Sequence, residues 1–531
     1  MALAAALSTA NLPAATPDAE HAPGVASDHQ LAAIGRHIIP KPARIKSAPG
    51  HFTIRADTAI RFAHGEAKPA VMLLRDCLLE STGCKLPVAA PGTADQTNTI
   101  ALVLNEKPGR YSPEHYRLEI TSDGVMINAA SPAGLVNGIQ TLRQLLPVQH
   151  PAARTRIEFQ LPCGTIDDTP RFRWRGLMLD CSRTFQSVDY LKKTIDRMAI
   201  YKLNVLHLHL TDDQGWRMEI RSHPELTAKG ARFPEKWHEP AAHQGFYTQA
   251  QLKDLVAYAA ARNITIVPEI EMPGHTLAVL ACYPQLSCTG GPFEIHPFFK
   301  GPGIHKDVFC AGNEAVFTFL DEVLGEVCEI FPSEYIHIGG DEAPKTRWKN
   351  CPKCQARMKK EGLANEAELQ SWFIRRAAAM LKKRGRKMIG WDEILDGGLA
   401  PGAAVMSWRG TRGGIAAAKA GHPVVMSPTS HCYFDYPYKR IDTRRAYSFD
   451  PVAGLDASRA RHVLGIQANF WSHIDREPEK VDAQLFPRLL AIAERAWSPA
   501  DATDWDDFAR RVKSHLARLD QMGVSYHKTE R

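Results

Sequence analysis

The sequence predicts an α/β protein whose larger part is a (β/α)8 TIM barrel, preceded by a small α+β accessory domain. From residue 173 onwards, short apolar runs alternate with segments of helical spacing, as in a parallel sheet with crossover helices. Eight such runs occur over roughly 330 residues, which fits a barrel with long loops. An open doubly wound sheet is the alternative, and the lack of a Gly-rich phosphate loop counts against it.

Composition narrows the class of protein. The chain has 531 residues, 44% of them hydrophobic and 23% charged, which is typical of a globular protein. Its net charge of +7 is spread along the chain without a long Lys/Arg run, so nucleic-acid binding has little support. No run of eighteen or more apolar residues occurs, so we expect no membrane span. The oligomeric state is left open.

The amino-terminal segment indicates the compartment. The first fifteen residues are apolar and rich in small side chains, and they resemble the tail of a secretory signal without its positive start. We interpret residues 1–37 as a leader or a flexible arm and expect a periplasmic or secreted protein. A disordered cytoplasmic arm is the alternative.

Eleven cysteines are present, so at least one is unpaired within the chain. Cys282, Cys288 and Cys310 fall in one loop-like insertion, where a disulfide would suit a periplasmic enzyme. Cys351-Pro-Lys-Cys354 is a lone CxxC without a second CxxC or a His pair nearby. This motif favours a disulfide or free thiols over a metal site.

Residues 38–150 are predicted to form the accessory domain, in which no catalytic group stands out. Strands are expected over 51–54, 58–62, 99–104, 116–120 and 124–128, and helices over 69–81 and 131–146. Ser131 is the expected N-cap of the second helix, with Pro132 at its first position.

Residues 151–531 are predicted to form the barrel. Its strands are expected over 176–180, 205–210, 264–270, 335–340, 387–391, 404–408, 423–427 and 463–470. Helices are expected over 190–201, 248–262, 314–331, 366–384, 414–421 and 482–497.

The fourth predicted strand, Tyr335-Ile-His-Ile-Gly-Gly-Asp-Glu342, holds the main candidate for chemistry. Two glycines let the backbone turn sharply, and Asp341 and Glu342 follow at the strand end that carries catalysis in barrels. Neighbouring acids suit general acid/base work, because repulsion and unequal burial separate their pKa values. A solvated turn or a helix N-terminus is the alternative.

The other predicted strand ends carry further polar and aromatic side chains. These are Asp180, Arg183, Asp212, Asp213, Glu269, Glu271, His275, Glu393, Asp435 and His473, with Trp391, Trp408, Tyr433 and Trp471 at the same rim. Aromatic faces pack on the C–H surfaces of sugars, while carboxylates and Arg bind hydroxyls. We interpret the rim as a sugar pocket, against the alternative that the tryptophans only cap the barrel core.

His207 and His209 lie two residues apart on the second strand and so share a face. Metal-dependent hydrolases of barrel type use such a pair, with further ligands on later strands. Here the later strands end in Trp391, Trp408 and Trp471, which disfavours a metal. We expect one histidine in the core and the other orienting a carboxylate.

Five segments in chain order resemble glycoside hydrolase family 20, the β-N-acetylhexosaminidases. They are RGLMLDCSR at 175–183, HLHLTDDQGWR at 207–217, PEIEMPGH at 268–275, HIGGDE at 337–342 and GIQANFW at 465–471. The resemblance extends over residues 38–497, and the leading α+β segment resembles the family's non-catalytic domain.

The resemblance implies an exo-acting retaining enzyme that removes terminal non-reducing β-GlcNAc or β-GalNAc from an oligosaccharide or glycoconjugate. Ordinary retaining enzymes place a carboxylate nucleophile and an acid about 5 Å apart on either side of the glycosidic bond. Two acids that are adjacent in the chain cannot easily take up these positions. In the family, the 2-acetamido oxygen attacks the anomeric carbon and forms an oxazolinium ion. Glu342 would be the acid and then the base, and Asp341 would hold the acetamido N–H. No cofactor and no metal are implied.

The remaining roles are also those that the resemblance implies. Arg183 would bind the 3- and 4-hydroxyls, Trp391, Trp408 and Trp471 would line the pocket, Tyr433 would bond the acetamido oxygen, and Asp435 would contact outer hydroxyls. Asp212 and His275 would form a relay that tunes Glu342.

Two positions depart from the family pattern. His473 stands where a Glu usually binds the 4- and 6-hydroxyls, which bears on GlcNAc/GalNAc choice and on exo action. Glu271 stands where Asp is commoner, and we expect a modest change in loop packing. We also expect the insertion at 283–312 to shape the leaving-group side, for chitin oligomers or glycoprotein glycans, or else to be a decoration. A disaccharide-releasing enzyme or an inactive glycan-binding barrel are the alternative functions.

Overall fold

The structure of the protein, a computed structural model, describes residues 34–83, 85–89, 97–105, 112–146, 148 and 158–528. Most of the leader or arm predicted at residues 1–37 lies outside the described residues. Within these ranges, no helix combines the length and apolar character that crossing a bilayer requires.

The first domain is a six-stranded mixed sheet with two helices packed against it. Its strands are β1 (Arg44–Ile54), β2 (Ala59–Phe62), β3 (Thr99–Leu104), β4 (Tyr116–Ile120), β5 (Gly124–Ala129) and β6 (Phe159–Asp168), in the order β1-β6-β4-β5-β3-β2. The helices are α1 (Lys68–Thr82) and α2 (Pro132–Leu145). As expected, the Ser131 side chain caps α2 by accepting the Gly134 N–H at 3.4 Å.

The first sheet reaches further along the chain than the predicted boundary at residue 150. β6 pairs with both β1 and β4, so this sheet runs to Asp168. β1 also begins at Arg44, seven residues before the predicted strand. Its first half is exposed and its register shifts between Ser47 and His51, so the sequence there carries no alternating apolar signal.

The second domain is a closed barrel of parallel strands, which confirms the predicted fold class. Its strands are β7 (Trp174–Asp180), β8 (Val205–His209), β11 (Thr265–Glu269), β12 (Tyr335–His337), β13 (Lys387–Trp391), β14 (Ala404–Ser407), β15 (Val424–Met426) and β16 (Val463–Phe470). A small antiparallel pair, β9 (Thr211–Asp212) and β10 (Gly215–Trp216), follows β8. Every predicted strand is present, with ends within three residues of those expected.

Helices and short turns connect the strands. The helices are α3 (Val188–Ile200), α4 (Glu225–Ala228), α5 (Gln249–Ala260), α6 (Leu277–Cys282), α7 (Glu314–Ile330), α8 (Thr346–Asn350), α9 (Pro352–Glu361), α10 (Glu366–Lys383), α11 (Arg412–Lys419), α12 (Thr443–Ser448), α13 (Ala457–Ala460), α14 (Pro478–Leu485), α15 (Arg488–Trp497) and α16 (Trp505–Gln521). The 3-10 turns are Gly65–Ala67, Glu235–Trp237, Ala241–His243, Pro284–Leu286, Phe298–Lys300, Asp392–Leu395 and Ala500–Ala502. The helix expected over 482–497 is two helices, because Pro487 lacks the N–H that a continuous helix needs.

Asp168, the last residue of β6, lies at the seam between the two domains and is fully buried. Its carboxylate accepts the Trp497 indole N–H at 3.0 Å and the Tyr116 hydroxyl at 2.8 Å. Lys202, also fully buried, has its Nζ 3.9 Å from the same carboxylate. Burial lowers the pKa of Lys202 to about 8, although Asp168 opposes the shift. The seam therefore joins a charged group of the barrel to one of the first sheet.

Candidate active site

A cavity of about 240 Å³ opens at the carboxyl ends of the barrel strands. It is lined by Arg183, His275, Pro302, Asp341, Glu342, Trp391, Trp408, Tyr433, Asp435, Tyr436, Trp471 and His473. The structure thus gathers all the predicted catalytic and substrate-binding residues around one cavity, and Asp212 lies directly behind His275. A larger hollow of about 480 Å³ on the first sheet contains none of these residues.

A tight turn after β12 presents the two adjacent acids. Gly339 and Gly340 have positive φ values of 65° and 92°. A side chain at position 339 would collide with the carboxylate of Glu271, so glycine is required there. Glu342 itself has φ 41°, a strained conformation that costs about 1–3 kcal/mol and is common at functional sites. The turn separates the two side chains, with Glu342 34% exposed and Asp341 buried.

Asp341 has a free acceptor oxygen inside the cavity. Its Oδ1 is buried and has no hydrogen-bond partner among the described residues. Burial raises the pKa of Asp341 to about 6, while His275 opposes the rise. An unpaired buried acceptor is costly, so it is expected to receive a donor from a bound ligand.

His275 connects the acids to the carboxylates behind them. Its Nδ1 lies 3.2 Å from both Asp212 Oδ1 and Asp213 Oδ2, and its Nε2 lies 3.5 Å from Glu342 Oε2. Burial would lower the pKa of His275, but the carboxylates of Asp212, Asp213 and Glu342 hold it well above its usual value. His275 is therefore a cation beside Glu342. Asp213 was not in the predicted relay, although its adjacency to Asp212 offered that signal.

Arg183 is held in place by Asp212, whose Oδ2 lies 2.7 Å from its Nη2. Its guanidinium also lies over the Trp471 ring, 4.9 Å from the centroid. The Nη1 atom is buried 3.6 Å from Asp180 Oδ2 and has no hydrogen-bond partner among the residues that the structure describes. One face of the cavity thus offers an oriented donor to a ligand.

The aromatic walls are fixed by their polar edges. The Trp391 indole N–H donates to Glu269 Oε1 at 2.7 Å, and the Trp408 N–H donates to Glu393 Oε2 at 2.8 Å. Trp391 lies 5.9 Å from Trp471 between ring centroids, and Trp408 stacks on Tyr433 at 6.1 Å. With the N–H groups bonded, the ring faces are available to a flat apolar surface such as that of a sugar.

The remaining polar wall contains Asp435 and His473. Burial raises the pKa of Asp435 to about 7, and its Oδ1 has no described partner. Burial and the Arg183 charge lower the pKa of His473, so this ring is neutral at pH 7. Its Nδ1 is also without a described partner. Both groups can therefore bond ligand hydroxyls.

Both histidines of β8 are fully buried inside the barrel, and both contact carboxylates, whereas the sequence predicted this contact for only one of them. His207 Nε2 lies 3.0 Å from Glu269 Oε2, and His209 bridges Asp180 and Glu271 at 3.3 Å each. His207 with Glu269 and His337, and His209 with Glu269 and Glu271, form two groups that could each ligate a cation. Neither histidine lines the cavity, so such a cation would lie outside contact with a ligand there.

Glu271 supports the acid turn from below. It is buried beneath Gly339 and bonded to His209, and burial together with Asp341 and Glu269 raises its pKa well above the usual value. A neutral acid there avoids a further negative charge next to Asp341. Glu271, which stands where the family more often has Asp, therefore lies directly beneath the turn that carries Asp341 and Glu342.

Sequence reasoning did not select Pro302 and Tyr436 of the lining. Pro302 comes from the insertion at 283–312, and its carbonyl accepts the Gln214 side-chain N–H at 2.7 Å. This part of the insertion therefore reaches the cavity. Tyr436 follows Asp435 by one residue, and its nearness to that acid was the available signal.

A parallel barrel with two adjacent acids in an aromatic cavity at the carboxyl ends of its strands is typical of a glycoside hydrolase. Family models agree: "Glycosyl hydrolase family 20, catalytic domain" matches residues 172–500, and "Glycosyl hydrolase family 20, domain 2" matches residues 36–169. The chain belongs to glycosyl hydrolase family 20.

Curated relatives and solved structures are consistent with this. The chain is 43% identical over 514 residues to a beta-hexosaminidase of Porphyromonas gingivalis, covering 93% of this chain and 64% of the relative, less than two thirds of its length. It is 32% identical to a beta-N-acetylhexosaminidase of Cellulomonas fimi, covering 92% and 95%. The Vibrio harveyi GH20 exo beta-N-acetylglucosaminidase structure superposes with a TM-score of 0.83 at 32% identity, covering 93% and 78%. The Streptomyces coelicolor GH20 beta-N-acetylhexosaminidase gives 0.81 at 34%, covering 93% and 98%.

Proposed function

We propose that this enzyme removes terminal non-reducing β-GlcNAc or β-GalNAc from oligosaccharides or glycoconjugates, with retention of configuration and with the substrate's acetamido oxygen as nucleophile. The observation that carries the proposal is the pairing of Asp341 and Glu342. One is a buried carboxylate with a free acceptor oxygen, and the other is a half-exposed carboxyl beside it. The first suits an acetamido N–H, and the second suits a glycosidic oxygen.

In the first step, Glu342 gives its proton to the glycosidic oxygen as the bond to the anomeric carbon breaks. The acetamido oxygen bonds to that carbon from the opposite face, and an oxazolinium ion forms. Asp341 accepts the acetamido N–H and stabilises the positive charge, an effect that is strongest in the transition state. The Tyr433 hydroxyl, on the cavity wall, donates to the acetamido oxygen and aims it.

In the second step, Glu342 takes a proton from water, and the water oxygen bonds to the anomeric carbon as the oxazolinium ring opens. Two inversions give net retention. His275, whose Nε2 lies 3.5 Å from Glu342 Oε2, orients this side chain in both steps. Arg183, Asp435 and His473 hold the sugar hydroxyls.

The direct test compares aryl β-glycosides of GlcNAc, GalNAc and glucose, which share a leaving group. Hydrolysis of the two acetamido sugars and none of the glucoside is expected, since glucose has no acetamido group. Equal rates on glucose would overturn the mechanism. Release of disaccharides from a chitin oligomer, rather than single sugars, would overturn exo action on monosaccharides.

We expect kcat/KM on the GlcNAc glycoside to fall as the pH drops below about 6. The pKa of Asp341 is raised to about 6, and only its ionised form carries the negative charge that stabilises the oxazolinium ion. Well below that pH, the rate should fall about tenfold per unit, because kcat/KM reports ionisation in the free enzyme. The measurement is a pH profile with preincubation controls for stability. A flat profile down to about pH 4.5 would contradict the role given to Asp341.

His473→Ala is expected to lower kcat/KM roughly three- to tenfold, mostly through KM, as loss of one neutral hydrogen bond would. The GlcNAc-to-GalNAc ratio should change with it, because these sugars differ in the 4-hydroxyl that His473 is proposed to contact. His473→Gln is the matched variant that keeps a donor and an acceptor. An unchanged ratio in both variants would remove His473 from sugar discrimination.

We also propose export to the periplasm or the medium, on the apolar, small-residue-rich first fifteen residues. The insertion at 283–312 is proposed to choose between chitin oligomers and glycoprotein glycans, because Pro302 reaches the cavity. Fractionation of cells that express the full chain tests the first proposal. Rates on the two substrate classes test the second.

A further inference from the structure

Four cysteines from two distant parts of the chain meet outside the cavity. The Cys310 Sγ lies 3.7 Å from the sulfurs of both Cys351 and Cys354, and Cys288 Sγ lies 3.8 Å from that of Cys354. All four sulfurs lie within 4.8 Å of one another. Cys310, Cys351 and Cys354 are buried, and Cys288 is half-buried.

These distances match the edges of a tetrahedron around a metal ion. A Zn–S bond of about 2.3 Å places neighbouring sulfurs of a tetrahedral site about 3.8 Å apart. A disulfide would instead bring two sulfurs to about 2.05 Å. The cluster therefore has the size of a zinc site in which four thiolates are the only ligands.

The local backbone is built to bring the two cysteine pairs together. Ser287 and Phe309 form an antiparallel bridge, and the Cys310 N–H donates to the Leu286 carbonyl at 2.9 Å, so the two segments that carry Cys288 and Cys310 are paired. The other pair lies at the start of α9. Gly312 packs directly on the Cys351–Cys354 turn, where any side chain would collide with the Lys353 backbone.

Further contacts hold the same two segments in register. The Trp348 indole N–H donates to the Phe309 carbonyl at 2.9 Å, and Trp348 is fully buried. The Arg347 guanidinium pairs with Asp307 at 2.6 Å. The sulfurs are thus positioned by packing around them.

We propose that Cys288, Cys310, Cys351 and Cys354 bind one structural zinc ion. Four thiolates close the tetrahedron and leave no position for water or substrate, which is the form of a structural site. The ion would fasten the 283–312 insertion, which supplies Pro302 to the cavity, to the helices that follow the Asp341–Glu342 turn. It is separate from the hydrolytic mechanism and takes no part in it.

The lone CxxC alone did not reveal this site, and the sequence favoured a disulfide or free thiols. Cys288 lies 66 residues before Cys354 and Cys310 lies 41 residues before Cys351, so only folding brings the two pairs together. An oxidising compartment would favour disulfides among the same thiols. The test therefore measures metal and thiols on the same sample.

The test uses the full chain, purified without chelator, with zinc measured by plasma mass spectrometry and its coordination by X-ray absorption. About one zinc per chain with four sulfur neighbours near 2.3 Å is expected. Cys310→Ser should lose most of the zinc and lower the melting temperature. Cys328→Ser, at a half-buried cysteine outside the cluster, should keep both.

Three results would overturn the proposal. One is a zinc-free wild-type protein whose four cysteines resist alkylation until a reductant is added, which would show disulfides. Another is zinc bound equally by wild type and Cys310→Ser. The third is tightly bound iron, which the same four thiolates can also hold. The wild-type measurements decide the question even if Cys310→Ser does not fold.

Discussion

Glu342→Gln is expected to lower kcat about 10²- to 10⁴-fold on substrates with poor leaving groups, such as chitin oligomers. Glutamine keeps the shape of the side chain but has no proton to give the glycosidic oxygen. Activated aryl glycosides need less protonation, so their first step should slow much less. The measurement compares kcat for a series of aryl glycosides whose leaving groups differ in pKa. The rate of the variant should depend more steeply on the leaving-group pKa than the rate of the wild type.

Glu393→Gln is the matched control for that change. Glu393 is another buried glutamate near the rim, bonded to Trp408, and burial together with Asp341 raises its pKa to about 8. It is therefore already neutral at pH 7, and glutamine should preserve its contact with small loss of activity. Equal losses on good and poor leaving groups in Glu342→Gln would count against Glu342 as the acid.

Asp341→Asn is expected to lower kcat on all 2-acetamido substrates about 10²- to 10³-fold, the scale of losing one oriented group that stabilises transition-state charge. The amide cannot carry the negative charge that balances the oxazolinium. The effect should be similar for good and poor leaving groups, because it concerns the nucleophile. This contrast separates the two acids.

Binding measurements sharpen that result. A stable bicyclic mimic of the oxazolinium ion should bind wild type far more tightly than Asp341→Asn, while GlcNAc affinity should differ little. The loss of rate near pH 6 should also disappear in the variant, since Asp341 has been removed. Wild-type rates in Asp341→Asn would refute the assigned role.

Much of the barrel was predictable because its signals are local. Each strand is an apolar run, and its functional residue follows it directly, so placing the strands also placed Arg183, Asp341 and Trp391 at one rim. Every residue of β16 is buried, and so is every residue of β13 except Lys387, and the predicted ends of both strands agree with the structure to the residue. Parallel closure then brings the strand ends together.

The features that escaped prediction depend on tertiary contacts. The first half of β1 is exposed and is recognisable only through its pairing with β6. The cysteine cluster needs two segments that packing brings together. The sequence gives no reason to prefer Asp212 or Asp213 as the partner of His275. The structure shows that both carboxylates contact this histidine.

The contacts of Asp168 between the two domains affect whether the gene could be divided between them. A barrel separated near residue 170 would keep Lys202 and Trp497 but lose the carboxylate between them. The cut would also open this buried face of the barrel to water and leave the Trp497 indole N–H without its acceptor, so the separated barrel is expected to be less stable. Gene fusion or truncation at that point would therefore be selected against, and the two domains would pass between lineages as one heritable piece.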